Sequence, residues 1–217
     1  INAYLVSVEG NGGTCTPGTH SVNYGSSSSS QSCSRTGYTF SSFTITSGSC
    51  LGFNTSTGVC PSVRGVLAIQ ANWSVDSYLV SVSANGGKCT PGSHYVNYGS
   101  ASSLQKCTRA GYTFNGFTIT SGSCGSFNTS TGVCSSVTQD ITIQANWSTN
   151  SYTVTVNGNG GTCTPGTHSV NYGSASTSQT CTRTGYTFIG FTVTSGTCSS
   201  FNTSTGVCSS VTQAITI

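Results

Sequence analysis

The segment CGSFNTSTGVC, residues 124–134, sets two cysteines ten positions apart around a polar loop with one aromatic. Cysteines so placed can ligate a metal, cycle between thiol and disulfide, or close a permanent cross-link. The sequence holds 12 Cys in 217 residues and no Met. Zinc proteins present Cys as CxxC pairs, and this sequence contains no such pair. Usage this high without that spacing belongs to an oxidising, extracellular compartment. Cross-linking is therefore the chemistry expected of all twelve.

Their spacing says more than their number. Cys15, Cys89 and Cys163 lie 74 residues apart, and the same interval relates Cys33, Cys107 and Cys181. It recurs for Cys50, Cys124 and Cys198, and for Cys60, Cys134 and Cys208. Tyr4, Tyr78 and Tyr152 keep this register, as do Trp73 and Trp147. The sequence thus divides into units 1–74, 75–148 and 149–217 with no insertion or deletion. The third stops at Ile217, the counterpart of Ile143, without the QANWS that follows in the second. The expectation is a window on a longer array; the alternative is a strand supplied by a neighbouring chain.

A catalytic or metal site stamped out with the unit must recur with it, and the acids do not. Glu9 is matched by Ser83 and Asn157, Asp76 by Asn2 and Asn150, and Asp140 by Val66 and Ala214. No carboxylate pair for acid–base work or cation binding repeats. His20, His94 and His168 do repeat, with no acid to orient the ring as hydrolysis requires. They share a strand face with Val and Tyr, and are expected to be partly buried and held by backbone groups. No enzymatic activity, metal or cofactor is expected. Arg35, Arg109 and Arg183 are the only charge present in every unit. They are expected to donate to backbone carbonyls or to reach the next unit.

The elements that position these groups follow from a period of two. Tyr152-Thr-Val154-Thr-Val156 and Ile141-Thr-Ile143-Gln-Ala145-Asn-Trp147 alternate apolar and polar, as does His168-Ser-Val170-Asn-Tyr172. Tyr186-Thr-Phe188 and Phe191-Thr-Val193 alternate on opposite parities, so a β-bulge is expected at Ile189-Gly190. Asn-Gly-Gly at 159–161 and Thr-Pro-Gly at 164–166 are turn signals. Only the Ser-rich connection from Gly173 to Thr180 has room for a helix, and its propensity is poor. Each unit is read as at least four short strands. Most recurrent aromatics (Tyr24, Tyr38, Phe40, Phe43 and Trp73 in the first unit) are assigned to the inner face. Phe53, Phe127 and Phe201, inside the cysteine-bounded loops, are assigned to inter-unit or inter-chain contact.

The order Y-x-V-x-V, NGG, V-x-YG, R-x-GYTF-x-GF and I-T-I-x-A-x-W resembles the Listeria–Bacteroides repeat, also called the internalin B-repeat family. SYTVTVNGNGG, VNYG and RTGYTFIGF in the third unit carry it best. The resemblance implies a small β-grasp-like domain, repeated in tandem on secreted or surface proteins as a stalk, spacer or adhesive module. This sequence departs from the family in having Phe43, Phe117 and Phe191 where Trp is usual, and in its four Cys per unit.

A β unit this small buries a modest share of its surface, and cross-links offset that deficit. Four Cys allow three pairings within a unit. Nearness in sequence favours Cys15–Cys33, Cys50–Cys60, Cys89–Cys107, Cys124–Cys134, Cys163–Cys181 and Cys198–Cys208. Asn54, Asn128 and Asn202 begin N-T-S, and Asn72 and Asn146 begin N-W-S, which makes them candidates for glycosylation.

A net charge of +3, scattered along the sequence, excludes a nucleic-acid footprint. No apolar run approaches the length of a membrane span. The fold class expected is mainly β, three tandem β-grasp-like repeats stapled by disulfides. The function expected is structural: an extracellular or cell-surface filament, stalk or layer that self-associates. The alternative is an adhesin engaging glycans or a surface protein.

Overall fold

The computed structural model describes residues 2–217, and among them every regular element is a strand. The first unit contributes β1 (Ala3–Glu9), β2 (Thr14–Thr16), β3 (His20–Asn23), β4 (Ser32–Ser34), β5 (Tyr38–Ser47) and β6 (Leu67–Val75). Four of these form a mixed sheet in the order β3-β1-β6-β5. Its centre is a parallel pair, with Val6 opposite Leu67 and Val8 opposite Ile69. The flanking pairs β1–β3 and β5–β6 are antiparallel.

Alternation sorts the side chains. Val6, Val22, Phe43, Ile69 and Ala71 fall on one face and are buried together with Val63 and Leu67. Leu5 stands on the other face, exposed to solvent. One covered and one open face is what an antiparallel edge around a short parallel pair allows when nothing packs on the second side. The parity change within β5 is resolved by an irregularity between Phe40 and Ser42, which lie opposite Trp73 and Asn72. The rings of Phe40 and Phe43 consequently meet at 4.7 Å, centroid to centroid. In the second unit the same slip falls between Phe114 and Phe117. There Gly116 takes φ +93°, and a Cβ would come within 2.9 Å of the Thr129 carbonyl oxygen. That backbone suits glycine; the first unit makes its slip with Ser42 at the corresponding position and without a positive φ.

Irregular chain, not a helix, covers the core. The Ser-rich connection 25–31 pairs its backbone with the loop that follows β5: Gly25 N–H to Val63 C=O at 2.8 Å, Ser28 N–H to Cys60 C=O at 2.9 Å, Gln31 N–H to Thr57 C=O at 2.9 Å. A coil rich in Ser and poor in helix formers satisfies its polar groups this way rather than by an i to i−4 ladder. β2 and β4 form a separate two-stranded ribbon that sets Cys15 opposite Cys33.

The second unit repeats this order with Ser77–Ser83, His94–Asn97, Tyr112–Ser121 and Ile141–Thr149. In the third, Ser151–Thr155, His168–Asn171 and Ile215–Thr216 make a three-stranded sheet. Residues 186–193, the counterparts of β5, pair in no strand, and the sequence holds no counterparts of Gln144–Thr149. The bulge expected at Ile189-Gly190 therefore sits in no ladder, although Phe188 and Phe191 still meet at 4.9 Å.

Candidate functional site

The structure joins the cysteines in two bridges per unit. Cys15–Cys33, Cys89–Cys107 and Cys163–Cys181 each cross the small ribbon, with Cα atoms 4.1 Å apart. Cys50–Cys60, Cys124–Cys134 and Cys198–Cys208 close the loop after β5 and its counterparts, with Cα atoms 5.7–5.9 Å apart. No free thiol remains among the described residues. No group of three or more His, Cys, Asp or Glu side chains that could hold a metal occurs among them either.

The closed loop is an ordered turn with an inward anchor. Asn54 Oδ1 accepts from the backbone N–H of Ser56 and Thr57 at 2.9 and 3.1 Å, an Asx turn repeated by Asn128 and Asn202. Phe53, Phe127 and Phe201, assigned above to contacts between units, pack instead against the core of their own unit. The physical reason is alternation inside the loop: the Asn side chain faces out to cap the turn, so the preceding ring faces in.

The histidines belong to a polar cluster beneath the Ser-rich coil. His20 Nδ1 faces the Gly18 carbonyl at 2.7 Å, and Nε2 accepts from the Ser29 N–H at 3.2 Å. A carbonyl only accepts, so these partners assign the proton to Nδ1. Gln31, itself buried, accepts from Gly18 N–H at 2.8 Å and donates to Ser29 C=O at 3.2 Å. Buried Ser28 accepts the Cys60 N–H at 2.8 Å. His94 with Gln105 and Ser102, and His168 with Gln179 and Ser176, repeat the arrangement. Every ring nitrogen is committed to the backbone, and none is poised beside a nucleophile.

The recurrent arginine ties a turn to a ring. Arg35 lies with Cζ 3.7 Å from the Tyr38 ring centroid and donates from Nη1 to the Asn11 carbonyl at 2.9 Å. Asn11 adopts φ +48°, and Gly12 beside it takes φ +84°. Arg109 on Tyr112 and Arg183 on Tyr186 repeat both distances to within 0.1 Å, with Asn85 and Asn159 as acceptors. These contacts are all within one unit, not with the next.

Comparison with protein families decides what this arrangement is part of. The family model described as "Divergent InlB B-repeat domain" matches residues 78–151. That described as "Listeria-Bacteroides repeat domain" matches residues 152–216. Residues 78–216 belong to the B-repeat family. The chain is a cysteine-rich variant, with six disulfides, two in each 74-residue register. No curated protein and no solved structure matched it.

Successive B-repeats meet through a different tyrosine. Tyr98 of the second packs on Gly37 of the first, so closely that a Cβ on Gly37 would fall within its ring. Tyr172 lies on Gly111 in the same way, with its ring 6.4 Å from that of Tyr112. One residue separates β6 from the strand that opens the next repeat, and that residue seals the joint. Asp76 donates its N–H to Gly37 C=O at 3.0 Å, accepts Tyr98 N–H at 2.8 Å on its own carbonyl, and takes the Thr39 hydroxyl on its carboxylate at 2.7 Å. Asn150 does the same with Gly111, Tyr172 and Thr113. Tyr24, the first-unit counterpart assigned above to the core, is 55% exposed.

Neither joint was signalled as a motif, yet both halves recur at the register of the repeat. The same holds for Gln31, Gln105 and Gln179, which stay fixed inside Ser-rich stretches that otherwise vary. Among the candidates for glycosylation, Asn54, Asn128 and Asn202 are exposed, whereas Asn72 and Asn146 are half-buried. Asn72 Nδ2, the atom a glycan would occupy, donates to Ser42 at 3.2 Å.

Proposed function

We propose that this extracellular repeat protein is a structural spacer: three B-repeats, units 1–74, 75–148 and 149–217, acting as a stiff rod in a stalk, filament or surface layer. Each unit is read as a β-grasp variant whose helix is replaced by the Ser-rich coil. The observation that carries the reading is the junction of a single residue between repeats, braced by a ring on a glycine and three hydrogen bonds. A linker of one residue has no slack, so the orientation of one repeat is passed to the next.

Two further features support it. Six cross-links close loops in the unfolded chain, each contributing about 3 kcal/mol in the chain-entropy account, which suits a protein exposed to proteases. The edge strands β3 and β5 carry no Lys, Arg, Asp or Glu, the charges that ordinarily keep sheet edges apart. That favours lateral or end-to-end association of rods. The adhesin alternative called for clusters of solvent-facing aromatics. Phe43 and Phe117 lie in the cores and Tyr98 and Tyr172 in the joints, while the exposed rings of Tyr24 and Tyr95 stand in separate repeats.

Small-angle scattering of the chain and of one- and two-repeat versions tests the rod. Maximum dimension should rise by a constant increment per repeat, with a cross-section that does not change. A compact or flexible profile would overturn it. Electron microscopy of native material tests assembly, and monomers alone at every concentration would remove that part of the reading.

A further inference from the structure

Beyond the spacer role, one recurrent group is left with hydrogen-bonding capacity unused. Each arginine of the Arg–Tyr pairs is clamped on two faces and one corner. Tyr38 covers one face of Arg35, and Gly12 backs the other, where a Cβ would sit 3.1 Å from Cζ. Nη1 is held by the Asn11 carbonyl. Among the described residues Nε and Nη2 have no protein acceptor, and those two N–H groups form the coplanar fork that takes a carboxylate or sulfate in two parallel hydrogen bonds.

The rest of the chain does not neutralise this charge. Asp76 is engaged with Thr39, Asp140 accepts the Leu79 N–H, and Glu9 is replaced by Ser83 and Asn157 in the other repeats. Surface grooves in the first and third repeats are each lined by the pair: Arg35 and Tyr38 with Thr14 and Trp73, and Arg183 and Tyr186 with Phe188. Charged fork, hydroxyl and aromatic edge side by side are the groups that recognise an acidic sugar residue. The Arg–Tyr pair itself recurs once per repeat, and such a row matches a polymer whose anionic groups also repeat.

We propose that each B-repeat carries an oxyanion-binding site at its Arg–Tyr pair, and that the row of sites holds an acidic polysaccharide by its carboxylate or sulfate groups. Binding is fixed by the pre-aligned fork rather than by net charge. Lys106 of the second repeat and Arg64 of the first stand at positions that line neither groove, whereas Lys88 takes the place of the groove-lining Thr14.

The test is binding of the whole 217-residue chain to immobilised dextran sulfate, polygalacturonate and neutral dextran. The expected result is binding to one or both acidic polymers, none to dextran, and weakening as salt rises. Replacing Arg35, Arg109 and Arg183 together by Lys keeps the charge and removes the fork. Affinity should then fall by about tenfold or more, since loss at several linked sites compounds. Arg64→Gln with Lys106→Gln, which lowers net charge but spares the fork and the groove, should change affinity by less than about threefold. If the triple variant unfolds, R35K alone, at the pair that lines the groove of the first repeat, should weaken binding measurably. Absence of binding to both acidic polymers, undiminished binding by the arginine-to-lysine variants, or an equal loss from the Arg64/Lys106 variant would each overturn the proposal.

Discussion

The ring of Tyr98 occupies the space over Gly37 of the preceding repeat that any side chain at position 37 would need. Gly37 also holds φ +76°, a value β-branched residues resist. Gly37→Val should therefore open the joint while leaving both cores packed. Tyr98→Ala removes the ring without backbone strain and should do the same. Scattering should show a broadened distance distribution for either variant, with little change in far-ultraviolet circular dichroism. An unchanged profile for Tyr98→Ala would show that the ring does not hold the joint.

The cross-linked loop should prove separable from the core in a protease assay. Replacing Cys124 and Cys134 together by Ala removes a bridge that closes ten residues, and stability should fall by about 3 kcal/mol. Cleavage by a nonspecific protease should then concentrate within residues 124–134. Equal protease resistance with and without the bridge would show that the Asx turn at Asn128 suffices.

Gln105 is buried and takes the Gly92 N–H at 2.9 Å. Gln105→Leu keeps the approximate volume but strands that donor, at a cost of roughly 1–3 kcal/mol. Hydrogen exchange should accelerate at Gly92 and in the Ser-rich coil before it does in the central strands. Uniform acceleration would mean that the coil and sheet open as one unit.

Trp147 donates its indole N–H to the Ala84 carbonyl at 2.9 Å, while Phe117 is wholly buried. Trp147→Phe should cost about 1 kcal/mol, the worth of one hydrogen bond. Phe117→Ala should cost about 3–5 kcal/mol, because it leaves a cavity. Chemical denaturation that ranked the two the other way would locate the core differently.

Local patterns were legible in the sequence where the physics is local. Period-two alternation located the sheet strands, and the parity switch read at Ile189-Gly190 has its ladder slip at the equivalent Asn115-Gly116 of the second unit. The joint was not legible, because Gly37 already has a sufficient local explanation as a turn residue with positive φ. Nothing in the sequence separates that requirement from the second one imposed by Tyr98, whose partner is 61 positions away in number and in another repeat. Tyr24 and Tyr98 look alike for the same reason, though one is exposed and the other covered. Phe53 was misjudged because a cysteine-closed loop suggests a crown. Its neighbour Asn54 turned out to set which way the ring faces.

The parallel pairing of β1 with β6 has a mechanical consequence. Tension applied between the two ends of a repeat would pull β1 from its Ala3 end and β6 from its Val75 end. In a parallel pair those ends are opposite, so the ladder from Val6–Leu67 to Glu9–Gln70 is sheared as a whole rather than peeled bond by bond. Residues 15–33 and 50–60, tied by their bridges, cannot pay out as slack even after the sheet gives way. A repeat pulled in this way would yield late, and its two bridges would cut the length it could release.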